Sequence, residues 1–122
     1  MKISYSDHYN DEYFTGKKKY LDAAGQEKTY HGPSLVWDGF QPIAEALAPL
    51  LPGKTILDIG CSGGDLVSRM ASLKGYDPYG VEISEYAVKN CVPSMKGRIA
   101  LADITTCPKD LGPLSSGGFA PW

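Results

Sequence analysis

The sequence predicts an α/β fold built on a parallel sheet, and three observations predict it. Short apolar segments of strand character recur at 55–59, 79–83 and 99–102. Segments of helical character separate them, one over 64–73 and one after Ser84. A glycine-rich turn, Gly60-Cys61-Ser62-Gly63-Gly64, joins the first strand to its helix. The resulting order, helix-β-α-β-α-β, requires parallel strands joined by right-handed crossovers.

The elements follow in chain order. Residues 1–33 are polar and rich in tyrosine: Tyr5, Tyr9, Tyr13, Tyr20 and Tyr30, joined by Phe14. No period runs through them, and Ala24-Gly25-Gln26 is turn-like. They are expected to form an irregular or partly helical arm whose rings pack on something. The chain divides at Gly32-Pro33. Beyond it, Phe40, Ile43, Ala44, Leu47 and Leu51 share one face of a helix. Pro42 suits a first turn, so the regular part should begin near Gly39, Phe40 or Gln41. Pro49 disturbs the last turn, and Pro52-Gly53 ends the element.

Thr55 to Ile59 is β-branched and apolar apart from Asp58, as a buried parallel strand is. The next helix, beginning at Gly64 or Asp65, sets Leu66, Met70 and Leu73 on one face, and Gly75 stops it. The second strand ends near Glu82. Ser84 then caps a short helix, with Glu85 favourable in its first turn. Pro93 bounds that helix. The third strand ends at Asp103. From 105 to 122, Pro108, Gly112-Pro113, Gly117-Gly118 and Pro121 leave no room for a further strand or helix. The expected divisions are therefore an arm (1–33), a ligand-binding half-domain (34–104) and an irregular tail (105–122).

Composition narrows the function. At 122 residues the chain is one domain. Its net charge of −2 argues against a general nucleic-acid binder, which carries a basic face. Cys61, Cys91 and Cys107 are odd in number and lack disulfide spacing. That pattern fits a reducing compartment, so a cytoplasmic protein is expected. No apolar run approaches the roughly 20 residues of a membrane span, and the N-terminus lacks a signal peptide's apolar stretch. His8 and His31 lack metal-ligand spacing. Lys17-Lys18-Lys19 reads as a solvated run, and Trp37 and Trp122 as packing residues. Cys61 sits at a helix N-terminus, where a thiol pKa can fall, but no histidine lies near it in sequence.

The chemistry gathers at the ends of the strands. Glycine backbone in the turn can take positive φ and let a ligand approach closely. The helix beyond offers unpaired N–H groups and a positive dipole end. Glu82 follows Gly64 by 18 residues, close to the roughly 20 expected for a carboxylate that takes ribose hydroxyls. Asp103, at the third strand's end, could accept from an adenine amino group. Three polar groups at successive strand ends define one crevice, where open α/β sheets bind ligands. A plain nicotinamide site fits worse. Its Gly-x-Gly-x-x-Gly would place glycines at 62 and 65, where Ser62 and Asp65 stand, and an acid at 65 repels pyrophosphate.

The segment Leu57-Asp58-Ile59-Gly60-Cys61-Ser62-Gly63-Gly64-Asp65-Leu66 resembles motif I of class I S-adenosylmethionine (SAM) methyltransferases. That motif reads acid-x-Gly-x-Gly-x-Gly. Asp58, Gly60 and Gly64 match it, and Ser62 replaces the middle glycine. Val81-Glu82-Ile83-Ser84 resembles the second-strand motif with its ribose-binding acid, and Ala102-Asp103-Ile104 the third-strand motif that flanks adenine. The resemblance implies a three-layer Rossmann-like fold of strand order 3-2-1-4-5-7-6, of which this chain supplies strands 3, 2 and 1. It implies SAM as cofactor and S-adenosylhomocysteine as product. The cofactor-binding residues would be Asp58, Gly60, Cys61, Ser62, Gly64, Glu82, Ile83, Asp103 and Ile104. His8-Tyr9-Asn10-Asp11-Glu12-Tyr13-Phe14 is similar to the lead-in of some small-molecule and sugar-modifying methyltransferases, where it can fold over the cofactor pocket.

The function implied is that of a SAM-dependent methyltransferase, or its SAM-binding fragment, with a small-molecule acceptor. The alternative is a catalytically inactive SAM-binding or self-associating module, because the acceptor-side strands are missing. No residue qualifies as a general base, but methyl transfer needs little beyond alignment, so that does not count against activity. Strand 55–59 lies at the sheet centre in the whole family fold. With only strands 3, 2 and 1 it becomes an apolar edge that the arm, the tail or a second copy must cover, and of these self-association through the edge is the one expected.

Overall fold

The computed structural model describes residues 8–29 and 34–106. Its elements run α1 (Asp11–Thr15), β1 (Lys19–Leu21), β2 (Glu27–Thr29), α2 (Phe40–Leu47), β3 (Thr55–Ile59), α3 (Asp65–Lys74), β4 (Asp77–Glu82), α4 (Glu85–Lys89) and β5 (Ile99–Leu101). Strands β3, β4 and β5 form a parallel sheet in that spatial order. This is the α/β half-fold expected, with β3 as strand 1 of the 3-2-1 set. Its register sets Asp58 beside Gly80, and Glu82 beside Leu101.

Alternation along the strands sorts side chains to two faces. On one, Ile56 and Ile99 join Ala44, Ala48, Val67, Met70 and Met95 in the main core, so α2 and α3 cover that face. On the other, Val81 and Ala100 are flanked by Leu57, Tyr79, Ala102 and Ile104. None of the described helices contributes to this second cluster. Among the described residues the fold thus supplies the sheet and one helical layer.

Local chemistry explains the boundaries. Pro42 lies in the first turn of α2, and Pro49 tightens its end into a 3-10 turn over Ala48–Leu50. The Tyr76 hydroxyl lies within hydrogen-bond distance of the Leu51 carbonyl (2.9 Å) and of the Ala48 carbonyl (3.2 Å), the latter also accepting from the Leu51 N–H. Gly75 closes α3 in the left-handed conformation, φ 69°. Ser84 caps α4, accepting from the Ala87 N–H at 3.2 Å.

Several expectations need correction. The α2 face is only partly buried: Ala44 is fully enclosed, whereas Ile43 and Leu47 are exposed. The buried face of α3 is Asp65, Val67, Met70 and Ala71, and Leu73 is exposed. β4 begins two residues earlier than expected, at Asp77. The arm contains an antiparallel hairpin of β1 and β2 around Ala24 and Gly25, which no period in its sequence announced. Asp22 holds that turn by accepting from the Ala24 and Gln26 N–H groups at 2.9 Å. Tyr5, Tyr30, His31, the Gly32-Pro33 boundary, Cys107 and the tail from 107 lie outside the described residues.

Candidate functional site

The turn after β3 is built by backbone. The Gly60 and Cys61 N–H groups donate to the Val81 carbonyl at 2.8 and 3.2 Å, which extends the β3–β4 ladder past the strand. The chain then reverses through positive φ at Gly60 (79°), Ser62 (54°) and Gly64 (81°). Gly64 is the N-cap of α3, and a Cβ there would meet Met95 Cγ at 2.6 Å. Ser62, where the motif I pattern has glycine, therefore adopts the conformation that glycine favours.

Glu82 ties this turn to the next strand end. The residue is buried, 6% exposed. Oε1 accepts from the Ser62 N–H and Oε2 from the Ser84 N–H, each at 2.8 Å. Each carboxylate oxygen has two lone pairs, so both keep an acceptor site after these bonds. Asp103, beyond β5, turns Oδ1 to the Thr105 N–H (2.9 Å) and hydroxyl (2.6 Å). These bonds set its side chain at the start of a 3-10 turn, Ile104–Thr106.

A cavity of about 410 Å³ opens at these strand ends. Gly60, Ser62, Glu82, Ile83, Asp103 and Ile104 line it together. Asp58, Cys61 and Gly64 do not appear in its lining. Asp58 lies on the strand before the turn, where burial and the nearby Glu82 charge raise its carboxyl above the ordinary range. Cys61 is buried with its Sγ toward the Ser62 carbonyl, and burial with the charges of Asp58 and Glu82 pushes its thiol strongly up. The lowered pKa that a helix N-terminus suggests is thus overridden by burial beside two carboxylates.

The arm closes one side of the cavity. Tyr9, Tyr13 and Phe14 all line it. Tyr9 and Tyr13 meet edge to face at 4.8 Å, and buried Phe14 stacks on Tyr86 of α4 at 6.0 Å. Asn10 caps α1 by accepting from the Tyr13 N–H, and Gly16 ends it at φ 73°. This short helix thereby directs Tyr13 and Phe14 inward, with Tyr9 just ahead of its cap. The tyrosine richness of the arm signalled packing, and the likeness of residues 8–14 to a lead-in that can fold over a cofactor pocket pointed to this face.

Asp65 also has a role the sequence did not reveal. Its buried carboxylate accepts from the Trp37 N–H at 2.9 Å and from Arg69 Nε at 2.9 Å. Arg69 reaches on to Gln41 Oε1 at 3.3 Å, so one acid holds α3 to the segment entering α2. Spacing of four residues between Asp65 and Arg69 was the available signal. Among the described residues no group of three or more His, Cys, Asp or Glu could hold a metal, and no helix is long and apolar enough to cross a membrane.

No curated protein and no solved structure matches the chain. A family model does, that of methionine biosynthesis protein MetW, over residues 39–106, more than half of the sequence. The match begins just before α2 and ends with the turn that carries Asp103, so it takes in the whole parallel sheet. That family is methyltransferase-like, in keeping with a glycine turn, a buried strand-end carboxylate and a strand-end cavity. The chain belongs to the MetW family.

Proposed function

We propose that the chain binds SAM at the C-terminal ends of β3, β4 and β5, and serves as a methyltransferase, or as its cofactor-binding part, toward a small-molecule acceptor. The observation that carries the proposal is Glu82: a buried carboxylate, fixed by two backbone N–H groups, on the wall of a cavity. The two backbone N–H groups hold the carboxylate in place, and the lone pair left on each oxygen can accept from one hydroxyl of a ribose diol. Asp103 and the apolar walls Ile83 and Ile104 suit an adenine. The positive-φ turn from Gly60 to Gly64 gives the methionine end a surface free of bulk. In this proposal Asp58 and Cys61 shape the turn from behind.

SAM would bring an electrophilic methyl group on a sulfonium. What the chain's residues do is bind and orient it, and methyl transfer gains much of its rate from alignment alone. Cavities of this size bury most of one small ligand, so the acceptor would approach from its open side. The methyltransferase-like family and the free Cys61 and Cys91 thiols also support an enzyme of a reducing, cytoplasmic setting.

Calorimetry with SAM and S-adenosylhomocysteine tests the proposal. Micromolar affinity is expected, with at least a tenfold loss in Glu82→Ala. Absence of binding, or affinity indifferent to that substitution, would sink it. Affinity for SAM with no transfer to any acceptor would favour the inactive module, and competition by adenosine alone would favour a nucleoside binder.

A further inference from the structure

Ser84 makes contacts that its capping role does not require. It is fully buried, and it lies two residues beyond Glu82. Its N–H holds Glu82 Oε2. Its hydroxyl accepts from the Ala87 N–H and also donates to the Tyr9 carbonyl, 75 residues away in the arm. Tyr9 leads directly into α1, whose Tyr13 and Phe14 line the same cavity as Glu82. The Phe14–Tyr86 stack sits beside this tie, on the helix that Ser84 caps. One residue therefore touches the carboxylate wall through its backbone and the aromatic wall through its side chain.

We propose that Ser84 is a positioning residue that latches the aromatic arm to the Glu82 wall, so that occupying the cavity and holding the arm closed are coupled. The inference rests on the cofactor reading above for the identity of the ligand, and on the Ser84 geometry for the latch. A ligand held between Glu82 and the tyrosine rings favours the closed arm. The closed arm in turn holds Ser84 and its N–H bond to Glu82 in place. Such coupling is reciprocal: what loosens the arm weakens the ligand by the same factor.

The test uses the full chain and four residues at position 84. Serine caps helices best, threonine and glycine cap about equally, and alanine caps poorly. Only serine and threonine supply the hydroxyl. Trypsin cleavage after Lys17, Lys18 or Lys19 reports opening of α1, whose end is closed by the Lys17 and Lys18 N–H groups on the Glu12 carbonyl and which is seated on the body by the Phe14–Tyr86 stack and the Tyr9 tie. A latch predicts that, without ligand, Ser84→Gly and Ser84→Ala are both cut several-fold faster than wild type, and Ser84→Thr at about the wild-type rate. A residue that merely caps α4 predicts instead that Gly and Thr behave alike, and that result would overturn the latch. Circular dichroism confirms that each variant is folded.

Saturating S-adenosylhomocysteine is then expected to slow cleavage of wild type and Ser84→Thr several-fold. Its affinity should fall about tenfold in Ser84→Gly. If the Gly and Ala variants are cut faster but S-adenosylhomocysteine binds none of the proteins, the cofactor reading fails while the latch stands. If it binds all four with equal affinity, the coupling is refuted.

Discussion

At the residue scale, Ser62 and Asp58 each carry a measurable cost. Ser62 holds φ 54°, a region that costs a residue with a Cβ about 1–2 kcal/mol. Glycine removes that cost and adds back unfolded-chain entropy of about 0.4–1 kcal/mol. Ser62→Gly is therefore expected to stabilise by about 0.5 kcal/mol in urea unfolding, and β-branched Ser62→Val to destabilise by about 1–2 kcal/mol. Asp58 is raised by burial and then by Glu82. The native state therefore binds its proton more tightly than the unfolded chain does. Stability from this group is full below the ordinary carboxylate pKa of about 3.9, and is lost as pH rises through the raised native value. Asp58→Asn is thus expected to stabilise at pH 7, with the gain disappearing below pH 4 in a pH series of melts. A gain that persists at low pH would contradict it. Cys61 obeys the same sign; in the native protein at pH 8, iodoacetamide should label Cys91 well before Cys61.

At the element scale, close packing joins β4 to the turn after β3. A Cβ on Gly80 would meet Cys61 Sγ at 2.4 Å and Cys61 Cβ at 3.0 Å. Overpacking of this kind costs about 1–3 kcal/mol. Gly80→Ala is expected to fall in that range, and Cys61→Gly in the same chain to recover part of it. Additive losses in the double-mutant cycle would show that the two sites do not share the space. This contact shows where sequence reading stops. Strand character, the left-handed stop at Gly75 and the Ser84 cap are local effects, so the parallel sheet and its helices were legible. Whether Leu73 or Ala71 faces the core depends on which side α3 presents to β3, a tertiary fact. The same holds for α2, where Ala44, with Ala48 just beyond the helix, is enclosed because α2 packs closely against α3. That Glu82 and Asp103 share one cavity was legible, Glu82 through its spacing from the glycine turn and Asp103 through its place after the third strand. The Ser84–Tyr9 tie spans 75 residues and left no periodic trace. Nor did the arm's hairpin, whose strands are three residues each and mostly exposed.

At the scale of the whole molecule, β3 ends the sheet on one side among the described residues. Printed on its backbone is a simple alternation. Lys54 accepts from the Asp77 N–H at 2.7 Å, and Gly60 donates to the Val81 carbonyl at 2.8 Å. In a parallel ladder alternate residues of one strand serve the same neighbour. The even-numbered residues therefore face β4, and the N–H groups of Thr55, Leu57 and Ile59 point outward. Ile59, at the end of this comb, is apolar and 55% exposed. An edge of this kind recruits a strand, and a second copy of the chain offers an identical one, which a two-fold axis would pair with it. Association through β3 is accordingly the expected state at micromolar concentration. Proline at a strand's first residue is tolerated, and at 55 it removes an outward N–H while sparing the β3–β4 bonds. Sedimentation of wild type should show a species heavier than the 13.2 kDa monomer, and Thr55→Pro should shift it to monomer with its circular dichroism intact. A wild-type chain that stays monomeric, or a heavier species untouched by proline, would rule out the edge as the contact.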